Sequence, residues 1–409
     1  MLTSLAFIFL VGLSMAAICQ KLKLPRIIGM LITGIVLGPY VLDLLDPSIL
    51  SISSELRQMA LIIILLKAGL SLDLSDLKKV GRPAIMMSCV PASFEILAFF
   101  LFAPYLLGVS RIEAAVMGAV LGAVSPAVVV PRMVQLMDSR YGTQKSIPQL
   151  VMAGASCDDI FVIVLFTTFV SMAQGGQVHI MDFVNIPISI VLGIVLGAFV
   201  GFLLSMFFET AYAHKHCVRN SMKVIIVLGV SFMLMAIETW AEGFVSISGL
   251  LAVVSMACVL KLKSITFVSK RLSEKFGKLW IAAEVILFVL VGAAVDIRYT
   301  MGAGLAAIAM IFLALVFRGI GVSICLIKTN LNWKERLFCV IAYLPKATVQ
   351  AAIGSVPLAM GLSCGQIVLS VAVLAILITA PLGAIGMDLT YKKLLVQEEL
   401  NKSETIKAE

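Results

Sequence analysis

Gly154-Ala155-Ser156-Cys157-Asp158-Asp159-Ile160 decides the fold. Two consecutive carboxylates stand inside an apolar run, Ile147–Met172, and a run of that length can cross a bilayer, which takes about 20 mostly apolar residues. Asp158 lies eleven residues after Ile147. At the helical rise that is about 16 Å, near the middle of a hydrocarbon core roughly 30 Å thick. The rest of the chain agrees with a membrane setting. Of its 409 residues 61% are apolar and 13% charged, about half the charged share of a soluble domain, roughly a quarter. That excludes a water-soluble fold of this size, and the high hydrophobicity excludes a disordered chain. Eight scattered cysteines form neither a disulfide framework nor a zinc pattern.

Outward from that run, thirteen stretches qualify as spans: Leu2–Cys19, Pro25–Leu42, Leu56–Leu72, Pro83–Leu107, Ile112–Met137, Ile147–Met172, Ile186–Phe208, Met222–Thr239, Phe244–Leu260, Leu279–Val295, Met301–Ile327, Leu337–Met360 and Gly365–Tyr391. No stretch alternates with the period of a membrane β-barrel. The first runs straight into the second without a cleavage site and is expected to be a retained helix. With the N-terminus outside, 25 of the 31 Lys and Arg residues fall in cytosolic loops or the C-terminal tail. Only Arg57, Arg111 and Arg298 fall on the other side. Adding or losing one span would scramble that bias, which is the pattern cytoplasmic loops carry. The net charge of +8 therefore reports topology and a partnership with anionic lipid head groups, not nucleic acid. The expectation is an all-α integral membrane protein of thirteen helices, multi-pass, N-terminus outside and C-terminus cytosolic. Residues 1–391 form one membrane domain, and 392–409 a charged, mobile cytosolic tail.

Six ionisable residues lie well inside spans: Lys67, Glu95, Asp158, Asp159, Arg318 and Lys346. Intramembrane charge is costly and marks function by default. Their formal sum is zero, as mutual pairing in a low-dielectric interior requires. Lys67 and Glu284 sit near the cytosolic end, where snorkelling accounts for them. Adjacent helical residues point about 100° apart, so Asp158 and Asp159 are expected to divide their work, one facing an aqueous cavity and the other a protein partner.

Spans 5 and 12 are interrupted. Span 5 holds Val124-Ser125-Pro126 and Pro131; span 12 holds Leu344-Pro345-Lys346-Ala347-Thr348, then Gly354 and Pro357. Proline breaks the helical ladder, and broken backbone at depth is tolerated only where it is buried or lines a cavity. Interruptions at corresponding places of two halves point to a transporter site. A shift of seven spans relates 5 to 12 and reverses orientation, so an inverted repeat is expected: about 1–172, a linking span about 186–208, and about 222–391. The same shift relates spans 4 and 11, so Glu95 and Arg318 are expected to pair and brace the scaffold. Gly193, Gly197 and Gly201, and likewise Gly34 and Gly38, fall four apart, as close helix packing asks.

Ala123-Val124-Ser125-Pro126-Ala127-Val128-Val129-Val130-Pro131, the Gly154–Asp159 run, Leu290-Val291-Gly292-Ala293 and Leu344–Gly354 together resemble the monovalent cation/proton antiporter superfamily, and within it the NHA-type sodium/proton antiporter branch. The likeness covers nearly the whole chain in order. It implies the inverted-repeat antiporter fold, with a core domain of two crossing broken helices interleaved with a dimerisation domain, and a homodimer. It implies that Asp159 binds the cation, with Asp158 as its neighbour, and that Lys346 pairs with the aspartates when no cation is bound. The Glu95–Arg318 pair also matches this branch. Many superfamily members carry Thr-Asp before the first proline where this chain has Val124-Ser125, so the broken helix ends need another source of neutralisation.

The chemistry that follows is exchange. Burial disfavours a bare carboxylate and a nearby ammonium favours it, so protons and Na⁺ or Li⁺ compete for one oxygen site. A small hard cation takes several oxygen ligands: Asp159, with Ser156, Ser125 and Asp158 nominated beside it, and Lys346 tuning the competition. No cofactor is called for, and the setting expected is a bacterial cytoplasmic membrane with a role in pH homeostasis. An enzyme is disfavoured. Neighbouring aspartates on one helix cannot share a proton as an aspartyl protease dyad does, and the three histidines lie in loops. A sodium-coupled solute symporter of related fold and a K⁺/H⁺ antiporter are the rival readings.

Overall fold

The computed structural model describes residues 1–71, 81–174, 180–213, 219–241 and 247–398; the three histidines and residues 399–409 lie outside them. In chain order the helices are α1 (Leu2–Lys21), α2 (Arg26–Leu37), α3 (Pro47–Ser51), α4 (Ser53–Ser71), α5 (Arg82–Met87), α6 (Val90–Leu107), α7 (Arg111–Leu121), α8 (Pro126–Asp138) and α9 (Ile147–Gln174). They continue as α10 (Ile180–Ala213), α11 (Asn220–Ala241), α12 (Gly249–Lys263), α13 (Thr266–Ala293), α14 (Ile297–Cys325), α15 (Trp333–Ala342), α16 (Thr348–Ile353), α17 (Val356–Ala359) and α18 (Gly365–Leu394). Among the described residues nine helical segments are long and apolar enough to cross a membrane. The other four expected spans are helical too, but α2 and α12 are short, α4 carries Glu55, Arg57 and Lys67, and span 12 is divided among α15, α16 and α17.

The helices pack in two groups. One joins α1, α2, α4 and α10–α13, with α13 against α2 and α4, and α12 against α4 and α10. The other joins α5–α9 with α14–α18, with α6 against α14, α9 against α7 and α8, and α18 against α14 and α15. Glycines set the closest approaches. A β-carbon at Gly193, Gly197 or Gly201 would run into the backbone of Ser248, which caps α12, or of Ala252 or Met256 on it, one turn apart each time, and Gly34 meets Val289 of α13 in the same way. The four-residue spacing is thus a packing seam.

Spans 5 and 12 start alike and break alike. Ser110 caps α7 in a reciprocal box with Glu113, at 2.8 and 3.3 Å, and Asn332 caps α15 with Glu335, at 2.7 and 2.9 Å. Such boxes satisfy two orphan donors at once. α7 ends at Leu121 and α8 resumes at Pro126, while α15 ends at Ala342 and α16 resumes at Thr348. Each gap precedes or contains a proline, which has no N–H to continue the ladder.

Residues 392–398 depart from the expected mobile tail. α18 runs on to Leu394, and the next residues fasten to the loop before α9: Gly142 N–H donates to the Val396 carbonyl and Glu398 N–H to the Arg140 carbonyl, both at 2.9 Å. Thr143 Oγ1 donates to Glu398 Oε2 at 2.7 Å, and Tyr141 packs edge-on against Tyr391. These backbone and ring contacts hold residues 391–398 against the loop.

Candidate functional site

Where the two interruptions meet, their backbones touch. Ser125 N–H donates to the Pro345 carbonyl at 2.8 Å, and the Ser125 and Thr348 hydroxyls lie 3.5 Å apart. Both gaps are buried, so the carbonyls and N–H groups freed by breaking the helices need partners inside the protein.

Two cations serve the carbonyl ends, where a helix dipole is negative. Arg318 of α14 donates through Nε to the Tyr343 carbonyl at 2.6 Å and through Nη1 to the Gly122 carbonyl. Lys346, in the second gap, donates Nζ to the Leu121 carbonyl at 2.5 Å. Gln350 completes the join, taking the Ala347 N–H at 2.8 Å and donating to the Ala123 carbonyl at 2.8 Å. Thr379 Oγ1 accepts from Lys346 N–H at 3.0 Å. The carbonyl ends are thus met by an arginine and a lysine. At the N–H end, Val124 donates to Asp158 Oδ2 at 2.9 Å.

The same cations bind two carboxylates. Arg318 Nη1 meets Glu95 Oε2 at 2.8 Å and Nη2 meets Asp158 Oδ2 at 3.0 Å; Lys346 Nζ lies 2.7 Å from Glu95 Oε1. All four side chains are at most 1% exposed. The expected Glu95–Arg318 contact is present, but Lys346 is bonded to Glu95 and not to an aspartate. The reason is placement: Glu95 approaches from α6 on the Leu121 side of the gap, where Lys346 already bonds a carbonyl, while Arg318 takes Asp158. Lys67 does not join this cluster either; its ammonium stands 5.9 Å over the Trp280 ring, so the six charges do not form one set. Two acids and two bases already balance without Asp159.

Asp159 has no side-chain hydrogen bond or ion pair among the described residues, and its Oδ1 is buried without a partner. It keeps 7% of its surface accessible where Asp158 keeps none. Ser125 is fully buried in the first gap; the Ser156 side chain lies outside the described residues. The helix that carries the acids is pressed tightly onto the second gap, since a β-carbon at Gly154 would collide with the Tyr343 hydroxyl. Gln350, Thr348, Tyr343 and Thr379 were not singled out from the sequence. Only Gln350, a carboxamide in the apolar run Val349–Ile353, carried a signal there.

A match to the family described as the transmembrane sodium/hydrogen exchangers runs over residues 5–391. The chain belongs to that family. Among its relatives is sodium/hydrogen exchanger 9B2 of Homo sapiens, 35% identical over 401 residues, which cover 94% of this chain and 73% of the relative. Sodium/hydrogen exchanger 9B1 of Homo sapiens is 32% identical, covering 91% and 73%. The fold is similar to that of the sodium proton antiporter MjNhaP1 from Methanocaldococcus jannaschii at pH 8, with a TM-score of 0.80, 21% identity, and coverage of 96% of this chain and 98% of that one. Membership in a family of multi-pass transporters agrees with the apolar helices.

Proposed function

We propose that the chain exchanges Na⁺ or Li⁺ for H⁺ by alternating access, with Asp159 holding cation and proton in turn. The observation that carries this is the charge balance at the helix breaks: Glu95 and Asp158 are neutralised by Arg318 and Lys346, and Asp159 makes no ion pair among the described residues, its Oδ1 lacking a hydrogen bond. A bare carboxylate there would be expensive, so the group favours being protonated or bound to a cation. Binding Na⁺ to the acid form forms a carboxylate–Na⁺ contact and releases the proton to solvent, and the reverse step restores the acid. An empty site is the costly state, which couples the two fluxes. The Ser125 and Ser156 hydroxyls and Asp158 are nominated as further oxygen contacts.

Lys346 acts in this scheme through Glu95 and the Leu121 carbonyl rather than by direct competition for Asp159. The proposal also takes the two helix groups as a core and a dimerisation domain in a homodimer, the halves as inverted repeats of thirteen spans with the N-terminus outside, and the seat as a bacterial cytoplasmic membrane. The packing supports the repeat: α2 lies on α13 as α12 lies on α4, and α1 on α2 as α11 on α12, the pairings that a shift of seven spans interchanges.

The test is exchange in reconstituted vesicles. Asp159→Asn is expected to fall to the rate of empty vesicles, and adding Na⁺ to purified wild type in weak buffer is expected to release protons. Wild-type exchange by Asp159→Asn would sink the assignment. A series of Li⁺, Na⁺ and K⁺ separates this reading from K⁺/H⁺ exchange, and Na⁺ uptake that needs an organic solute would replace it with symport.

A further inference from the structure

A cavity of about 440 Å³ lies between the two helix groups, at the end away from the basic loops. That is within the roughly 300–1,000 Å³ typical of ligand sites. Arg57 and Leu61 of α4 and Leu250 of α12 wall it on one side, and Phe166 and Val170 of α9 on the other. Arg57 is only 6% exposed, yet its Nε and Nη1 have no hydrogen-bond partner. Elsewhere the chain does not waste a buried guanidinium: Arg318 uses all three nitrogens. The neighbouring Glu55 accepts from Ser54 at 2.8 Å instead. Glu238, the other charged side chain on the cavity wall, has an interaction of its own.

A guanidinium with a planar fork of unused donors matches a carboxylate or phosphate, and the apolar wall beside it matches a hydrocarbon or aryl body. We propose that this cavity binds an organic anion, its carboxylate or phosphate head seated on Arg57 and its apolar body against Leu61, Phe166, Val170 and Leu250. Because both helix groups line the cavity, an occupant ties one to the other and slows any transport that needs them to move apart.

Binding is measured on the purified full chain, stripped of lipid in neutral detergent, by the rise in thermal midpoint with 4-phenylbutyrate and with its uncharged amide. Saturable stabilisation by the carboxylate is expected, with apparent affinity weaker by roughly tenfold or more for the amide and for Arg57→Gln, since a desolvated charge pair is lost in each. Arg57→Lys should fall between, and Asp159→Asn should bind as wild type, which separates this site from the exchange site. Displacement of phenylbutyrate by phosphatidic acid but not by phosphatidylcholine assigns a membrane lipid as the occupant; failure of both to displace it assigns a water-soluble anion. Equal stabilisation by acid and amide in the wild type, or no stabilisation by either, overturns the proposal without reference to any variant's folding.

Discussion

Glu95 is the hinge of the charge cluster, because it alone neutralises part of both Arg318 and Lys346. Removing one partner of a buried ion pair costs about 3–5 kcal/mol, and Glu95→Gln takes from Lys346 its carboxylate and from Arg318 one of two. We expect it to lower stability by at least that much, and by more than Asp158→Asn, which leaves Arg318 its bond to Glu95. Asp159→Asn should be near neutral or stabilising, since it removes a carboxyl group with no partner. Thermal unfolding of the three variants in one detergent checks the ranking; a larger loss for Asp159→Asn than for Glu95→Gln would contradict the charge balance. At this scale the sequence picked out the buried charges and one pairing, Glu95 with Arg318, but not the partners of Lys346 and Asp158. Depth along a run is a count of residues, so Asp158, Asp159, Glu95, Arg318 and Lys346 stood out. Which acid Lys346 meets depends on the side of the gap from which α6 approaches, and no spacing within one span encodes that.

The elements are written in local signals, and these were read more fully. Prolines at 126 and 345 mark the two gaps, and glycines four apart mark the seam between α10 and α12. Gly197→Val puts a branched side chain where the Ala252 backbone already is. We expect it to cost several kcal/mol or to block assembly of the first helix group, read as a lower thermal midpoint and lower yield of folded protein. Asn332→Ala removes the cap of α15, and about 1 kcal/mol of stability should go with it. What the sequence left unread was the partner of each freed backbone group. Gln350 bonds an N–H on its own segment and a carbonyl on the facing one, a bridging role that appears only once the two gaps are brought together.

For the whole molecule, the count of apolar runs and the basic bias placed the chain in the bilayer before any contact was known. The proposed topology makes a direct claim about access. Cysteines introduced at Ser48 and Ser139, both exposed, should react with a membrane-impermeant thiol reagent from opposite sides of the cell membrane, Ser48→Cys from outside and Ser139→Cys only after lysis. Labelling of both from the same side would overturn the orientation. Which helices belong to which of the two groups was not legible, because α9 and α18 are as apolar along the chain as α10 and α12, and only the pattern of close approach separates them.

The strap formed by Val396 and Glu398 has a practical meaning for anyone handling this chain. A fluorescent reporter joined directly after Leu394 deletes the latch on the loop that feeds α9, and so loosens the root of the helix bearing the paired acids. The same reporter joined beyond Glu398 leaves that root tethered, so two fusions differing by a few residues of linker should differ in heat tolerance although neither touches Asp158 or Asp159.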